Sequence, residues 1–168
     1  MLISSVHIRP WKPEDAGILS AVCNNKNIWL SVRDSFPFPY TIADAIQWIG
    51  FNLSKKPQEN FAITYKGHLA GSIGVIIKED IYRKTIEIGY FVGESFWAKG
   101  IATQAVGLLL QYIQQNFDVV RIYAEVFENN IASMKVLERN GFYLEGVRKK
   151  AVVKNNMIMD TWVWVKLV

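Results

Sequence analysis

Gly93-Glu94-Ser95-Phe96-Trp97-Ala98-Lys99-Gly100-Ile101-Ala102-Thr103 is the stretch on which the fold turns. Before it, Thr85 to Val92 alternates like a strand. After it, Ala102, Ala105, Val106, Leu109 and Ile113 fall on one stripe at helical spacing. The segment is therefore a strand-to-helix turn. The first amides of such a helix lack intrahelical acceptors, and its dipole favours negative charge. Small residues at Ala98, Gly100 and Ala102 let a phosphate come close to the backbone. The turn is not a P-loop, since no Gly-Lys-Ser/Thr follows, and it lacks the three-glycine dinucleotide fingerprint. An ordinary turn with small packing residues satisfies the same letters.

Outward from this turn the period changes repeatedly. His7-Ile8-Arg9 reads as a short strand before Pro10. Pro13-Glu14-Asp15 opens a helix that ends near Asn24-Asn25. A polar and aromatic loop runs from Lys26 to Tyr40. Thr41-Ile42-Ala43-Asp44 resembles a capping box with Asp for Glu and starts a second helix. Three strands follow: Phe61 to Tyr65, Leu69 to Ile77 broken by Gly71 and Gly74, and Thr85 to Val92 with a bulge or close approach expected at Gly89. Beyond the helix from Gly100 to Gln115 come a strand from Val119 to Phe127 and a helix from Asn130 to Asn140 stopped by Gly141. A hairpin across Asn155-Asn156 ends the chain. The order β-α-α-β-β-β-α-β-α-β-β is mixed α/β rather than doubly wound.

Composition narrows the classes. The 168 residues suit one domain spanning 1–168, and 51% apolar residues exclude a disordered chain. One cysteine, Cys23, excludes a disulfide framework and a cysteine zinc cluster; it reads as a buried helix residue. Two histidines make a metal site unexpected. A net charge of +4 suits an anionic small molecule. Only Arg148-Lys149-Lys150 clusters, so nucleic acid is not an expected partner. Neither a signal peptide nor a membrane span is readable, so a cytoplasmic location is expected.

A second motif lies one strand after the turn: Glu128-Asn129-Asn130-Ile131-Ala132-Ser133-Met134-Lys135-Val136-Leu137-Glu138-Arg139-Asn140-Gly141-Phe142. Together the two resemble the GNAT superfamily of N-acetyltransferases, whose signature is Gln/Arg-x-x-Gly-x-Gly/Ala followed by Asn-x-x-Ala/Ser and a helix ending in Gly-Phe. Trp97 through Ala102 matches the first part, with Trp97 in place of Gln or Arg, and Asn130 through Ser133 matches the second. With Thr85-Ile86-Glu87-Ile88-Gly89-Tyr90 before it, the chain looks like the branch of ribosomal-protein N-terminal (Rim-type) acetyltransferases.

The resemblance implies a mostly antiparallel twisted sheet of six to seven strands flanked by four helices, with parallel fourth and fifth strands that splay apart. It implies acetyl-CoA as co-substrate, its pantetheine arm pairing near Tyr90, Phe91 and Val92. The pyrophosphate would sit on amides of Ala98, Lys99, Gly100, Ile101, Ala102 and Thr103. Asn130 and Ser133 would contact the thioester end, and Lys135 with Arg139 could reach the adenosine phosphates or form a solvated helix face.

Amide formation needs a neutral amine and protonation of a leaving thiolate. Glu87 is the candidate base, with Glu125 next; the alternative is a strand glutamate paired with Arg83 or Lys84 on an exposed face. The family's usual acid is a tyrosine seven residues after the motif asparagine, where this chain has Leu137. Ser133 is the nearest substitute. In the loop, Trp29, Phe36, Phe38 and Tyr40 could wall an acceptor pocket, and Arg33 or Asp34 could fix an acceptor's charge; a lid packed on the core is the alternative. The expected acceptor is a primary amine, foremost an α-amine of a protein N-terminus or small compound. A non-catalytic acyl-CoA-binding module and a polyamine or aminoglycoside acetyltransferase are the competing readings. The apolar stretch Trp162 to Val165 could pair two chains in a homodimer if it is a sheet edge.

Overall fold

The computed structural model describes residues 5–168. β1 (Val6–Arg9) leads through a 3-10 turn (Pro13–Asp15) into α1 (Ala16–Cys23). α2 (Lys26–Trp29) and α3 (Ile42–Leu53) follow, then β2 (Asn60–Tyr65), β3 (His68–Ile77) and β4 (Thr85–Val92). α4 (Ile101–Asn116), β5 (Arg121–Phe127), α5 (Ile131–Arg139), β6 (Tyr143–Lys154) and β7 (Met157–Leu167) complete the chain. The strands form one seven-stranded sheet in the order β1-β2-β3-β4-β5-β7-β6. Every neighbouring pair is antiparallel except β4 with β5.

Local chemistry accounts for the element ends. The Thr41 hydroxyl accepts from the Asp44 amide at 3.2 Å while Asp44 Oδ2 accepts from the Thr41 amide at 2.7 Å, the reciprocal cap expected from the sequence. Asn130 Oδ1 caps α5 by accepting from the Ser133 amide at 3.2 Å. Gly141 ends α5 at φ +80, where a side chain would be strained. Two apolar layers cover the sheet. On one face Ile101, Ala105, Val106, Leu109 and Ile113 of α4 bury against Ile63, Ile73, Ile86, Ile88 and Ile122, joined by Met134 and Leu137 of α5. On the other, Leu19 and Cys23 of α1 and Ala45 and Ile49 of α3 close over Trp11, Ala62 and Leu69. Each such large apolar side chain contributes roughly 1.5–3 kcal/mol.

Several expectations need correction. The helices number five among the described residues, because Lys26–Trp29 forms a helical turn where a loop was expected; Asn25 Oδ1 caps it by accepting from the Ile28 amide at 3.0 Å. β3 is continuous through its glycines. They allow close approach instead: a Cβ on Gly71 would lie 2.2 Å from the Phe91 carbonyl oxygen, and one on Gly74 1.8 Å from Asn60 Oδ1. Gly89 pairs in register with Gly74 and marks no bulge; the register shifts lie between Ile63 and Thr64 in β2 and, in β6, between Leu144 and Gly146 and between Arg148 and Val152. Trp162 to Val165 is not an edge, because β7 runs between β5 and β6, so it offers no strand pairing for a homodimer. Among the described residues no helix is long and apolar enough to cross a membrane.

Candidate active site

The parallel ladder between β4 and β5 is short. It joins Thr85 with Arg121, Ile86 with Ile122 and Glu87 with Tyr123, and then the strands part. On its other side β4 stays paired with β3 as far as Val92. Lys78 donates to the Thr85 carbonyl at 3.2 Å and Gly93 donates to the Ala70 carbonyl at 2.7 Å, so odd-numbered residues of β4 direct their backbone groups to β3. Even-numbered residues, Tyr90 and Val92 among them, therefore face the gap that β5 has left. Phe91, expected to pair through its backbone, turns that backbone to β3 and lends its side chain to the gap's walls instead. Trp97 fills a role its sequence position did not reveal: its indole Nε1 donates to the Val92 carbonyl at 2.6 Å.

One end of the gap opens on a cavity of about 610 Å³ lined by Ala98, Lys99, Gly100, Ile101, Ala102 and Thr103, with Asn130, Lys135 and Arg139 opposite. Gly100 caps α4 at φ +70 with no side-chain cap, and a Cβ there would meet nothing. The first intrahelical bond runs from Gln104 to the Gly100 carbonyl, leaving the Ile101, Ala102 and Thr103 amides directed outward. Lys99 joins this cradle through its backbone alone, for its Nζ donates to the Ser95 carbonyl at 2.9 Å. Unfilled amides, space above a glycine and two cations across the cavity fit a pyrophosphate.

The other end opens on a larger cleft of about 1330 Å³. The two cavities share Ser31, Tyr90, Phe91, Asn130 and Ser133. At this junction the Tyr90 hydroxyl lies 2.8 Å from Ser133 Oγ. Burial pushes the Tyr90 phenol up to about 12, against the opposing bond to Ser133, so it keeps its proton at neutral pH. The sequence marks Tyr90 for its backbone, and the strand's alternation is the signal in it that the side chain reaches α5. Leu137, in the place of the family's usual tyrosine, is wholly buried in the core.

Glu87 is buried and is not paired with Arg83 or Lys84. Its Oε1 accepts from Arg33, while Oε2 accepts from Lys78 at 2.6 Å and from the Tyr123 hydroxyl at 3.1 Å. Burial pushes its carboxyl up, but the Lys78 hydrogen bond and the charges of Arg33 and Lys78 outweigh that and hold it below the usual carboxylate range. Glu125, the second candidate, accepts from Arg148 at 2.7 Å. Thr161, also in the cleft wall, has a buried hydroxyl with no partner among the described residues.

The loop from Lys26 to Tyr40 closes over this cleft and is fastened at several points. Asn25 and Asn27 donate to Glu94 at 2.6 and 3.0 Å, and Arg33 binds Glu87. Lys154, with a side chain only 2% exposed, donates to Asp34 at 2.7 Å and lies 3.9 Å from the Trp29 ring. Arg33, Asp34, Phe36 and Tyr40 line the cleft, but Trp29 and Phe38 line neither cavity: they pack on each other at 5.8 Å, and the Trp29 face is taken by Lys154. Phe36 stands edge-on to Phe91 at 5.3 Å and packs on Tyr40 at 5.0 Å. The described residues hold no cluster of three metal-ligating side chains.

Comparison with known proteins agrees with this geometry. Residues 5–143 match the family model described as acetyltransferase (GNAT) domain. A Bacillus subtilis (strain 168) protein named probable N-acetyltransferase YjcK is 37% identical over 91 residues, 52% of this chain and 50% of that protein, so the match spans half the relative's length. The ribosomal-protein-serine acetyltransferase of Escherichia coli (strain K12) is 27% identical over 99% of this chain and 90% of its own. Among solved structures, the microcin C7 self-immunity acetyltransferase MccE, in complex with acetyl-CoA and AMP, is 27% identical with a TM-score of 0.85, over 99% of this chain and 94% of that one.

Proposed function

The chain belongs to the acetyltransferase (GNAT) family, and from that premise we propose that it is an acetyl-CoA-dependent N-acetyltransferase acting on an α-amine, at a protein or peptide N-terminus or on a small amino compound. The observation that carries the reading is the meeting of the two cavities at Tyr90, Asn130 and Ser133. A phosphate cradle on one side and an acceptor cleft on the other share one junction, where the Tyr90 and Ser133 hydroxyls meet and the Ser31 hydroxyl is turned to the Ile28 carbonyl.

Acetyl-CoA supplies the acetyl thioester when bound. The α4 amides from Ile101 to Thr103 would hold its pyrophosphate, Lys135 and Arg139 would meet its outer phosphates, and the gap-facing backbone of Tyr90 with the Val92 amide would align its arm. The Tyr90 and Ser133 hydroxyls stand at the junction as donors for the sulfur that leaves. On the acceptor side Glu87 is ionised and can receive the amine's charge or proton through Oε1. Arg33, whose side chain is 58% exposed, is the partner that yields that oxygen, while Lys78 and Tyr123 keep the other.

Amine basicity favours an α-amine over a polyamine. Glu87, Glu125, Asp34 and Glu59 in the cleft are each already paired with a cation, and the carboxylates of its wall without an ion pair among the described residues are Asp44 and Glu79. An α-amine has a reference pKa near ~8 against ~10.4 for lysine and needs only a modest base. Kinship with an enzyme named for ribosomal-protein serine points the same way. Thiol release from acetyl-CoA, followed over α-amino peptides, spermidine and an aminoglycoside, tests the reading. Turnover is expected with the peptides first; spermidine outpacing them would overturn the acceptor assignment, and binding without turnover of any amine would overturn the activity.

A further inference from the structure

Gly89 breaks a rule of sheet interiors. It lies on β4, with β3 on one side and β5 diverging on the other, yet it is exposed. A Cβ built on it meets nothing within 4 Å, whereas its cross-strand partner Gly74 is packed against Asn60. Its φ lies outside the left-handed region, so the backbone does not demand glycine. Glycine within a strand costs stability and offers no packing, so its presence here calls for a reason on the open side.

That side is the acceptor cleft. Gly89 is among its lining residues. Alternation puts Gly89 on the same face of β4 as Glu87 and Phe91, each roughly 7 Å away along the strand. It stands just past the last ladder position between β4 and β5, where the gap begins, and its neighbour Tyr90 reaches Ser133 on the opposite face. An amine brought to Glu87 and to the junction would carry its adjacent carbon over Gly89.

We infer that Gly89 is a specificity-determining position: the space over it admits a substituent on the carbon next to the reacting amine. The inference rests on the proposed α-amine activity and narrows it to branched α-amines. An unbranched primary amine, such as a polyamine end, has no group to place there.

Two tetrapeptides differing only in the first residue, leucine or glycine, serve as probes for the wild type, Gly89→Ala and Gly89→Val. The ratio of kcat/KM for the leucine-first over the glycine-first peptide is expected to fall at least about tenfold in Gly89→Val, with a smaller fall in Gly89→Ala, the scale of steric discrimination in an apolar pocket. CoA affinity by calorimetry and the melting temperature are expected to hold or rise. An unchanged ratio, weakened CoA binding or loss of the folded transition in Gly89→Val would each overturn the inference while leaving the α-amine activity standing. Wild-type enzyme that turns over neither peptide would overturn that activity and the inference with it.

Discussion

Tyr90 and Glu87 point to opposite faces of β4, one into the junction with α5 and the other into the acceptor cleft. Tyr90→Phe keeps the ring and removes the donor. Turnover is expected to fall about 10²-fold with CoA affinity unchanged; Ser133→Ala, which leaves the phenol in place, should cost less, and steady-state rates beside calorimetry check both. For Glu87→Gln the fall should also be about 10²-fold, the low end for a general base, because a carboxyl held below its ordinary value is a weak one. The sign of the pH effect follows from the same shift. A depressed carboxyl contributes stability above its unfolded value of ~4.3 and loses it as pH falls through the folded one, so Glu87 is already ionised across the working range. The low-pH limb of kcat/KM between about pH 6 and 9 should therefore follow the amine and keep its place in Glu87→Gln. A limb displaced in the variant would restore Glu87 as the titrating base. At this scale the sequence was legible for Cys23, read as a buried helix residue and found so, while Asn130, read as the first residue of its helix, stands before it as the cap. It was opaque for the partners of Glu87. Arg33 lies 54 positions away and Lys78 nine, and no local pattern announces such pairs.

The turn between β4 and α4 works through its backbone, so its letters foretold its shape well. Gly100 is legible because φ +70 disfavours a side chain; Trp97 was not, because an indole bonded to a strand carbonyl has no spacing signature. Gly100→Asp forces a side chain into the left-handed region and sets a carboxylate where an anion must bind. CoA affinity is expected to drop below detection while the far-ultraviolet circular dichroism is retained; unchanged affinity in a folded variant would remove the phosphate site from this turn. The glycines of β3 show the limit of reading one strand at a time. Gly71 and Gly74 suggest a break in isolation, but each makes room for a group from another segment, the Phe91 carbonyl and the Asn60 side chain.

Across the whole molecule the segment from Lys26 to Tyr40 bridges distant parts of the chain, joining the turn after β4 to the β6–β7 hairpin through the bonds of Asn27 to Glu94, Arg33 to Glu87 and Asp34 to Lys154. The order of strands and helices was readable from periodicity, but this bridging was not, because Asp34 and Lys154 are 120 positions apart. Asp34→Ala leaves buried Lys154 with the Trp29 face alone among its described partners. As Asp34 is itself 71% exposed, the loss should be modest, on the order of 1 kcal/mol or about 2–4 °C in melting temperature, and smaller at high salt. A melting curve that does not move would mean the loop is held by its aromatic contacts instead. The parting of β4 from β5 has a consequence for how the protein exchanges with its solvent. Amide protons of Tyr90 and Val92 lie in a central strand but face the gap, so deuterium should replace them in the free protein long before it reaches Ile73 or Ile122 on the flanking strands. An arm lying in the gap and accepting their hydrogen bonds would slow that replacement, and the isotope clock of two backbone positions would then count how much of the protein in a cell extract carries its acyl donor.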